Sequence, residues 1–424
     1  MRDAMSHKQG IGITVGGQRP ADTRQILVGA PGPVHALYLH VPFCAHKCHY
    51  CDFYSFVDNR DQQEAYTHAL LLELRAVRHL LRGGLQTVFV GGGTPSLLRP
   101  QLWSRILDEL HNLVPGFPEA GLEFTVECNP ESASAETLKV LASGGVNRVS
   151  MGAQSFNPSH LKTLERLHQP ANVQRALSMA ADAGVERRNI DLIYAIPDQT
   201  IADWRYDLHI ACDLARTGLV DHISAYALTY EPNTAMTQRL KQGEFVAAED
   251  SLEADLYDTA VDSLSAVGLD RYEVSNFARP GSECRHNLNY WRCAQWLAAG
   301  PSASGHVAGS RWKNVPKLGE WIEGVNRTGG FAPAIDIELP DAERSLRERI
   351  MMGLRTREGI DRHALELGAK ELNCAKALDR ECTSLEARGQ IETVDGRLRL
   401  CAPSFLWCDG IAARLMDAIT RNAD

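Results

Sequence analysis

From residue 36 onward the chain alternates short runs rich in β-branched and aliphatic residues with longer amphipathic stretches, six times over. The strand candidates are 36–41, 87–90, 122–127, 147–151, 189–194 and 222–228, and the helical ones between them are 62–81, 101–113, 134–143, 171–183 and 201–216. Repeated β-then-α units bury their strands in a parallel sheet, either doubly wound or curved into a barrel. No other feature narrows the fold class as far.

After residue 228 the rhythm changes. A helix is predicted over 250–267, followed by a stretch rich in Trp, Asn and Gly from 272 to 314. Further helical runs cover 341–354, 361–369 and 372–387. Residues 391–400 read as a hairpin around Asp395-Gly396. Helices followed by a hairpin suggest a small winged-helix-like module. The division that follows is a leader (1–33), a core (34–250), an extension (251–338) and a C-terminal domain (339–424).

A chain of 424 residues accommodates two or three such units. Its 44% hydrophobic and 23% charged residues are those of an ordinary globular protein, so disorder and fibrous repeats are excluded. The formal net charge of −9 argues against a nucleic-acid binder, and the C-terminal module shows no basic face. No run reaches about 18 apolar residues, so no membrane-spanning helix is expected. The first 33 residues lack the apolar segment of a secretory signal and read as a loose leader. Eleven cysteines, an odd number with three crowded into eight residues, make a poor disulfide ladder. A reducing, cytoplasmic setting follows, where grouped thiols more often bind metal.

Those three are Cys44, Cys48 and Cys51, spaced Cys-x₃-Cys-x₂-Cys directly after the first strand. A short loop of thiolates suits an iron–sulfur cluster. Three are one short of a full set for four irons, which leaves one iron open to a small molecule. Zinc is the other reading, with His46 or His49 completing a tetrahedral site. After the second strand comes Gly91-Gly92-Gly93-Thr94-Pro95, where missing Cβ atoms let the backbone approach a ligand closely. In a parallel barrel, ligand groups gather at the carboxyl ends of the strands. On that rule Glu127, Gln154, Asp191 and Ala225 join the cysteines and glycines around one mouth.

These residues resemble the radical S-adenosylmethionine (SAM) superfamily. From about residue 36 to the C-terminus the chain is similar to the anaerobic coproporphyrinogen III oxidase family, which includes a haem-chaperone branch. The resemblance implies a partial (β/α)6 barrel, TIM-like, with a small helical, winged-helix-like C-terminal domain. It implies a [4Fe–4S] cluster on Cys44, Cys48 and Cys51, with SAM chelating the fourth iron. Tyr38, Tyr50, Gly92, Gly93, Thr94, Glu127, Gln154, Arg166, Asp191 and Ala225 match SAM contacts of the family. Read without it, Arg166 is equally a solvated helix charge, Asp191 an ordinary polar strand end and Tyr38 a core residue.

The oxidase carries a further cysteine two residues after its third; here that place is Phe53, the pattern of the chaperone branch. The branch's signature resembles Arg285-His286-Asn287-Leu288-Asn289-Tyr290-Trp291, together with 272–278, 300–306 and 311–314. Haem is the implied ligand, with His286, Asn287, Tyr290 and Trp291 as contacts and His286 first in line as axial ligand. Arg285 and Arg311 are candidate propionate partners, and Trp296 can lie against the macrocycle. Cys284 and Cys293 are thiolate alternatives or buried apolar residues, and His286 is equally readable as a structural histidine. Three functions stay open. One is a haem chaperone that serves acceptor haemoproteins and draws electrons from a reductant such as a flavodoxin or ferredoxin. The others are an oxygen-independent coproporphyrinogen III oxidase and a zinc- or cluster-bearing scaffold. The resemblance names no catalytic residue.

Overall fold

The computed structural model describes residues 22–420. Six strands form the parallel array: β1 (Ala36–Val41), β2 (Thr87–Gly92), β3 (Glu123–Cys128), β4 (Arg148–Gln154), β5 (Arg187–Tyr194) and β6 (His222–Ala227). They lie side by side in sequence order, each parallel to the next. The helices Gln63–Ala76, Pro100–Leu113, Ala135–Ser143, Pro170–Asp182 and Ile201–Arg216 follow the first five strands. Local chemistry sets their starts. Pro100 and Pro170 stand in the first turns of their helices, and Thr200 with Asp203 forms a reciprocal capping box for the last. The helix expected over 62–81 is interrupted at Val77 and resumes as Arg78–Leu81.

Alternation along the strands decides what faces what. Leu37, Leu39, Val88, Val90, Phe124, Val126, Val149, Met151, Ile190, Leu192 and Ile223 lie in the main apolar core with the helices. The alternate positions are mostly polar or aromatic. Tyr38, Phe89, Glu127, Arg148, Ser150, Asn189, Asp191, His222, Ser224 and Tyr226 line an interior chamber.

The extension finishes the barrel at both edges. Leu297–Ala299 pairs in parallel with β1, while Asn276–Ala278 runs antiparallel to β6 and is followed outward by Asp270–Arg271. The array is therefore an incomplete barrel of six parallel strands whose open edges are both covered by one later segment. Between those strands the chain forms the short helix Arg285–Trp291.

Residues 342–420 build a second apolar core from Leu346, Ile350, Leu365, Leu378, Leu385, Leu398, Ile411 and Leu415. Its helices surround a three-stranded sheet, in which Ile391–Val394 and Arg397–Leu400 form the expected hairpin. Asp395 and Gly396 both take positive φ, as a two-residue turn of this type requires. The loose leader needs correction where it is described. Leu27 is buried, the Thr23 N–H donates to the Ala332 carbonyl at 2.8 Å, and Arg24 stacks over Phe331. Residues 1–21 and 421–424 lie outside the described residues.

Glu73 joins the first helix to the extension. Its carboxylate accepts the Gly300 N–H and the Asn314 amide, both at 2.8 Å. Burial pushes its carboxyl up to about 8. A carboxyl raised this far keeps a proton in the folded state that the unfolded chain has released. The stability it contributes is complete near pH 4.5 and lost as pH rises through about 8. Glu73→Gln should therefore show a smaller fall in Tm between pH 6 and 9 than the wild type. Glu73→Leu should lose roughly 1–3 kcal/mol at every pH, because two buried donors are orphaned. Thermal unfolding across that range checks both.

Candidate functional site

The cysteine loop leaves β1 at its carboxyl end and is closed on itself. Phe43–Cys44 pairs in parallel with Phe56–Val57, and Phe43 is packed edge-on against Phe56 and Tyr66. His40 Nε2 donates to the Tyr54 carbonyl at 2.8 Å, so it carries the proton; Nδ1 then accepts from the Tyr38 hydroxyl at 3.1 Å. Burial holds the His40 imidazole down to about 4, hence neutral. Cys44, Cys48 and Cys51 are all half-buried on this loop.

The glycine strip meets the loop backbone to backbone. The Gly93 N–H donates to Val41 O and the Thr94 N–H to Phe43 O, each at 2.7 Å. A Cβ on Gly93 would lie 2.7 Å from the Phe43 carbonyl oxygen. One on Gly92, whose φ is +109°, would lie 2.4 Å from the His40 ring. The Thr94 hydroxyl reaches Cys44 Sγ at 3.6 Å. Below, the Gly92 N–H donates to Glu127 Oε2 at 3.1 Å. Burial first, and Asp191 second, push the Glu127 carboxyl up to about 8.

Across the mouth, Arg166 donates from Nη1 to Cys48 Sγ at 3.6 Å and from Nη2 to the Gly152 carbonyl at 2.8 Å, while its buried Nε has no partner. It is not a solvated helix charge. Gln154, in left-handed backbone at a register shift in β4, lies with Arg166 over Gly152. Tyr50 packs on Leu164, Ile193, Ile196, Leu228 and Met236. Asp191 sits deeper, accepting from Ser150 at 3.0 Å and Asn189 at 2.8 Å. Tyr38 lines the chamber and stacks on Phe89. Ala225 falls on the other side of its strand. It is 2% exposed, its side chain lies in the apolar core and its N–H is taken by the Ser275 carbonyl, so its side chain does not line the chamber.

The donor set fits a thiolate-held cluster better than zinc. His46 lies 3.8 Å from Glu165, and His49 Nδ1 lies 3.3 Å from the Arg239 guanidinium. Among the described residues no three His, Cys, Asp or Glu side chains are arranged to hold one metal ion. A multi-iron cluster spreads its thiolates around a larger body. The unpartnered Arg166 Nε and the glycine cradle suit an anionic, amino-acid-like ligand beside it.

The haem-signature residues occupy the opposite end of the barrel. The carboxylate of Glu123, the first residue of β3, accepts the Arg285 and His286 N–H groups, both at 2.9 Å, and so caps their helix. His286 is 0% exposed, with Nδ1 2.8 Å from Thr87 Oγ1 and Nε2 2.8 Å from the Tyr290 hydroxyl. Burial, aided by Arg148, holds it down to about 3. Both ring nitrogens are engaged within the protein, so the expected axial ligand is placed as a structural histidine. Asn287 and Tyr290 line the chamber floor; Trp291 is half-buried and does not. Arg311 pairs with Glu348 at 2.8 Å, while Arg285 is exposed and donates from Nη1 to the Gly121 carbonyl. Cys284 is buried and Cys293 half-buried.

The chamber between the two ends holds about 220 Å³. Sequence reading missed its deeper lining of Arg148, Ser150, Asn189, His222 and Ser224. The available signal was a polar residue at every second position of β4, β5 and β6. Gly93→Ala should force the cysteine loop away at a cost of about 1–3 kcal/mol and lower the iron retained after anaerobic reconstitution. Gly319→Ala, whose Cβ meets nothing within 4 Å, is the control. Iron content and Tm that match the control would contradict this packing.

Comparisons with known proteins agree with this architecture. The radical SAM superfamily pattern matches residues 38–210. Over 384 residues the chain is 37% identical to the haem chaperone HemW of Mycobacterium tuberculosis, covering 90% of this chain and 96% of that one. Haem chaperone HemW of Bacillus subtilis is 32% identical, over 77% of this chain and 84% of its own. The structure of coproporphyrinogen III oxidase (HemN) from Escherichia coli, a radical SAM enzyme, superposes with a TM-score of 0.78 at 21% identity, covering 92% of each chain. At that identity the likeness concerns the fold.

Proposed function

The chain belongs to the HemW haem-chaperone family of radical SAM proteins, and from that premise we propose that it binds haem and hands it to acceptor haemoproteins. The observation that carries the reading is the match to haem chaperones along nine-tenths of the chain, with Phe53 where the oxidase has its extra cysteine. On this reading Cys44, Cys48 and Cys51 hold a [4Fe–4S] cluster. Such a cluster supplies one-electron chemistry to bound SAM. The chain's own part is to orient and exclude water. Gly92, Gly93 and Thr94 present backbone to the amino-acid end of SAM, Arg166 offers its free Nε to the carboxylate, and Tyr50 packs beside it. Glu127, with its raised carboxyl, is a proton-bearing hydrogen-bond partner at neutral pH. The reductant is a small electron carrier of flavodoxin or ferredoxin type, and the setting is the cytoplasm. Among the described residues no helix is long and apolar enough to cross a membrane.

Haem itself is met outside the barrel. A chamber of about 220 Å³ is below the roughly 300–1,000 Å³ of sites that enclose drug-sized ligands, and a tetrapyrrole is larger than most of those. The partly buried indoles of Trp291 and Trp296 are the aromatic groups that the extension brings to haem, on a segment anchored by His286 through Thr87 and Tyr290. Titrating haem into the purified protein should give a saturable, stoichiometric Soret shift. Reduced, SAM-supplied protein should form no protoporphyrinogen from coproporphyrinogen. Appearance of that product, or no Soret shift, would overturn the reading. His286→Ala should lower Tm and leave the Soret position of the haem complex unchanged; a changed Soret position would restore it as axial ligand.

A further inference from the structure

Arg148 is the first residue of β4, 3% exposed and on the wall of the chamber. Its Nε is buried without a partner, and no carboxylate forms an ion pair with its guanidinium among the described residues. Every acidic or ionisable group that acts on it from nearby is committed elsewhere. Glu123 caps the helix Arg285–Trp291, and Asp221 pairs with Arg187 at 3.0 Å. The Tyr272 hydroxyl lies 2.9 Å from His222 and accepts the Cys284 N–H, while the Cys284 thiol leans on Glu123. Asp191 is held by Ser150 and Asn189. His222 and His286, which also face Arg148, are kept neutral by burial and by its charge.

A buried guanidinium with a planar fork of donors and no acceptor is a costly thing to keep inside a protein. Its geometry matches a carboxylate, which binds such a fork through two parallel hydrogen bonds. The chamber volume admits a short carboxylate chain and excludes a macrocycle. Asn287 on the floor offers a neutral polar neighbour.

We propose that the chamber floor is a binding site for a small carboxylate, gripped by Arg148 below the mouth that carries the cysteines. The carboxylate is either a free short-chain acid or the carboxylate arm of a larger molecule that remains outside. The inference does not depend on the haem reading.

The test uses anaerobically purified, cluster-loaded protein. Sodium propionate should raise Tm in a saturable manner, and neutral propionamide should not. In Arg148→Met the propionate effect should vanish, and the ligand-free Tm should equal or exceed that of the wild type, since an unpaired buried charge is gone. Arg148→Lys keeps the charge without the fork; it should fold and bind propionate at least tenfold more weakly. A second arm titrates haem and haem dimethyl ester. If propionate alone has no effect, a tenfold preference for haem over its ester that disappears in Arg148→Met identifies the carboxylate as a side arm. The proposal is overturned if neither the propionate effect nor the preference for haem over its ester distinguishes the wild type from Arg148→Met, whatever the ligand-free Tm of that variant.

Discussion

The site depends on one backbone contact, the pairing of Gly93 and Thr94 with Val41 and Phe43 beyond the ends of β1 and β2. Parallel neighbours end on the same side of a sheet, so their following loops are adjacent by construction. Two hydrogen bonds of 2.7 Å turn that adjacency into a fixed register, and the absence of a Cβ on Gly93 allows it. The cysteine loop is then held from both sides, by the glycine strip and by the packing of Phe43 against Phe56 and Tyr66. Without this contact the three thiols would lose their backbone tie to the glycine strip.

The barrel is built to have a polar interior and an apolar exterior, the reverse of a half-solvated sheet. Its outward residues pack against helices, and its inward ones enclose charge and hydroxyls around a small chamber. One end holds sulfur, glycine backbone and Arg166. The other is plugged by a short helix that Glu123 caps and His286 anchors to Thr87. Strands of six residues or more, at about 3.3 Å per residue, keep these ends well apart. The signature segment is thus positioned by the barrel floor rather than by the cysteine loop.

The six-fold alternation, the hairpin at Asp395-Gly396 and the convergence of Cys44, Gly93 and Glu127 were legible because each follows from local pattern. Strand ends in a parallel sheet share a face, and an Asp-Gly turn needs only its own two residues. The side-chain direction of Ala225 was not legible because the strand-end rule gives a position along the strand and not a face; it shares the apolar core with Ile223. For His286 the sequence left the axial and the structural readings open for another reason. Its partners Thr87 and Tyr290 include one from a strand about two hundred residues away in sequence, which no local pattern reveals. The same holds for the end of the leader, which is fastened to residues 331–333 by contacts that only the closed fold creates.

The central claim is that three thiols and an open mouth hold a four-iron cluster that SAM can reach. Electron paramagnetic resonance of the anaerobically reconstituted, reduced protein tests it most directly. A four-iron signal is expected, its g values should move when SAM is added, and it should be lost when Cys44, Cys48 and Cys51 are all replaced by Ala. Protein that retains zinc in place of iron, or a cluster signal indifferent to SAM, would contradict the account.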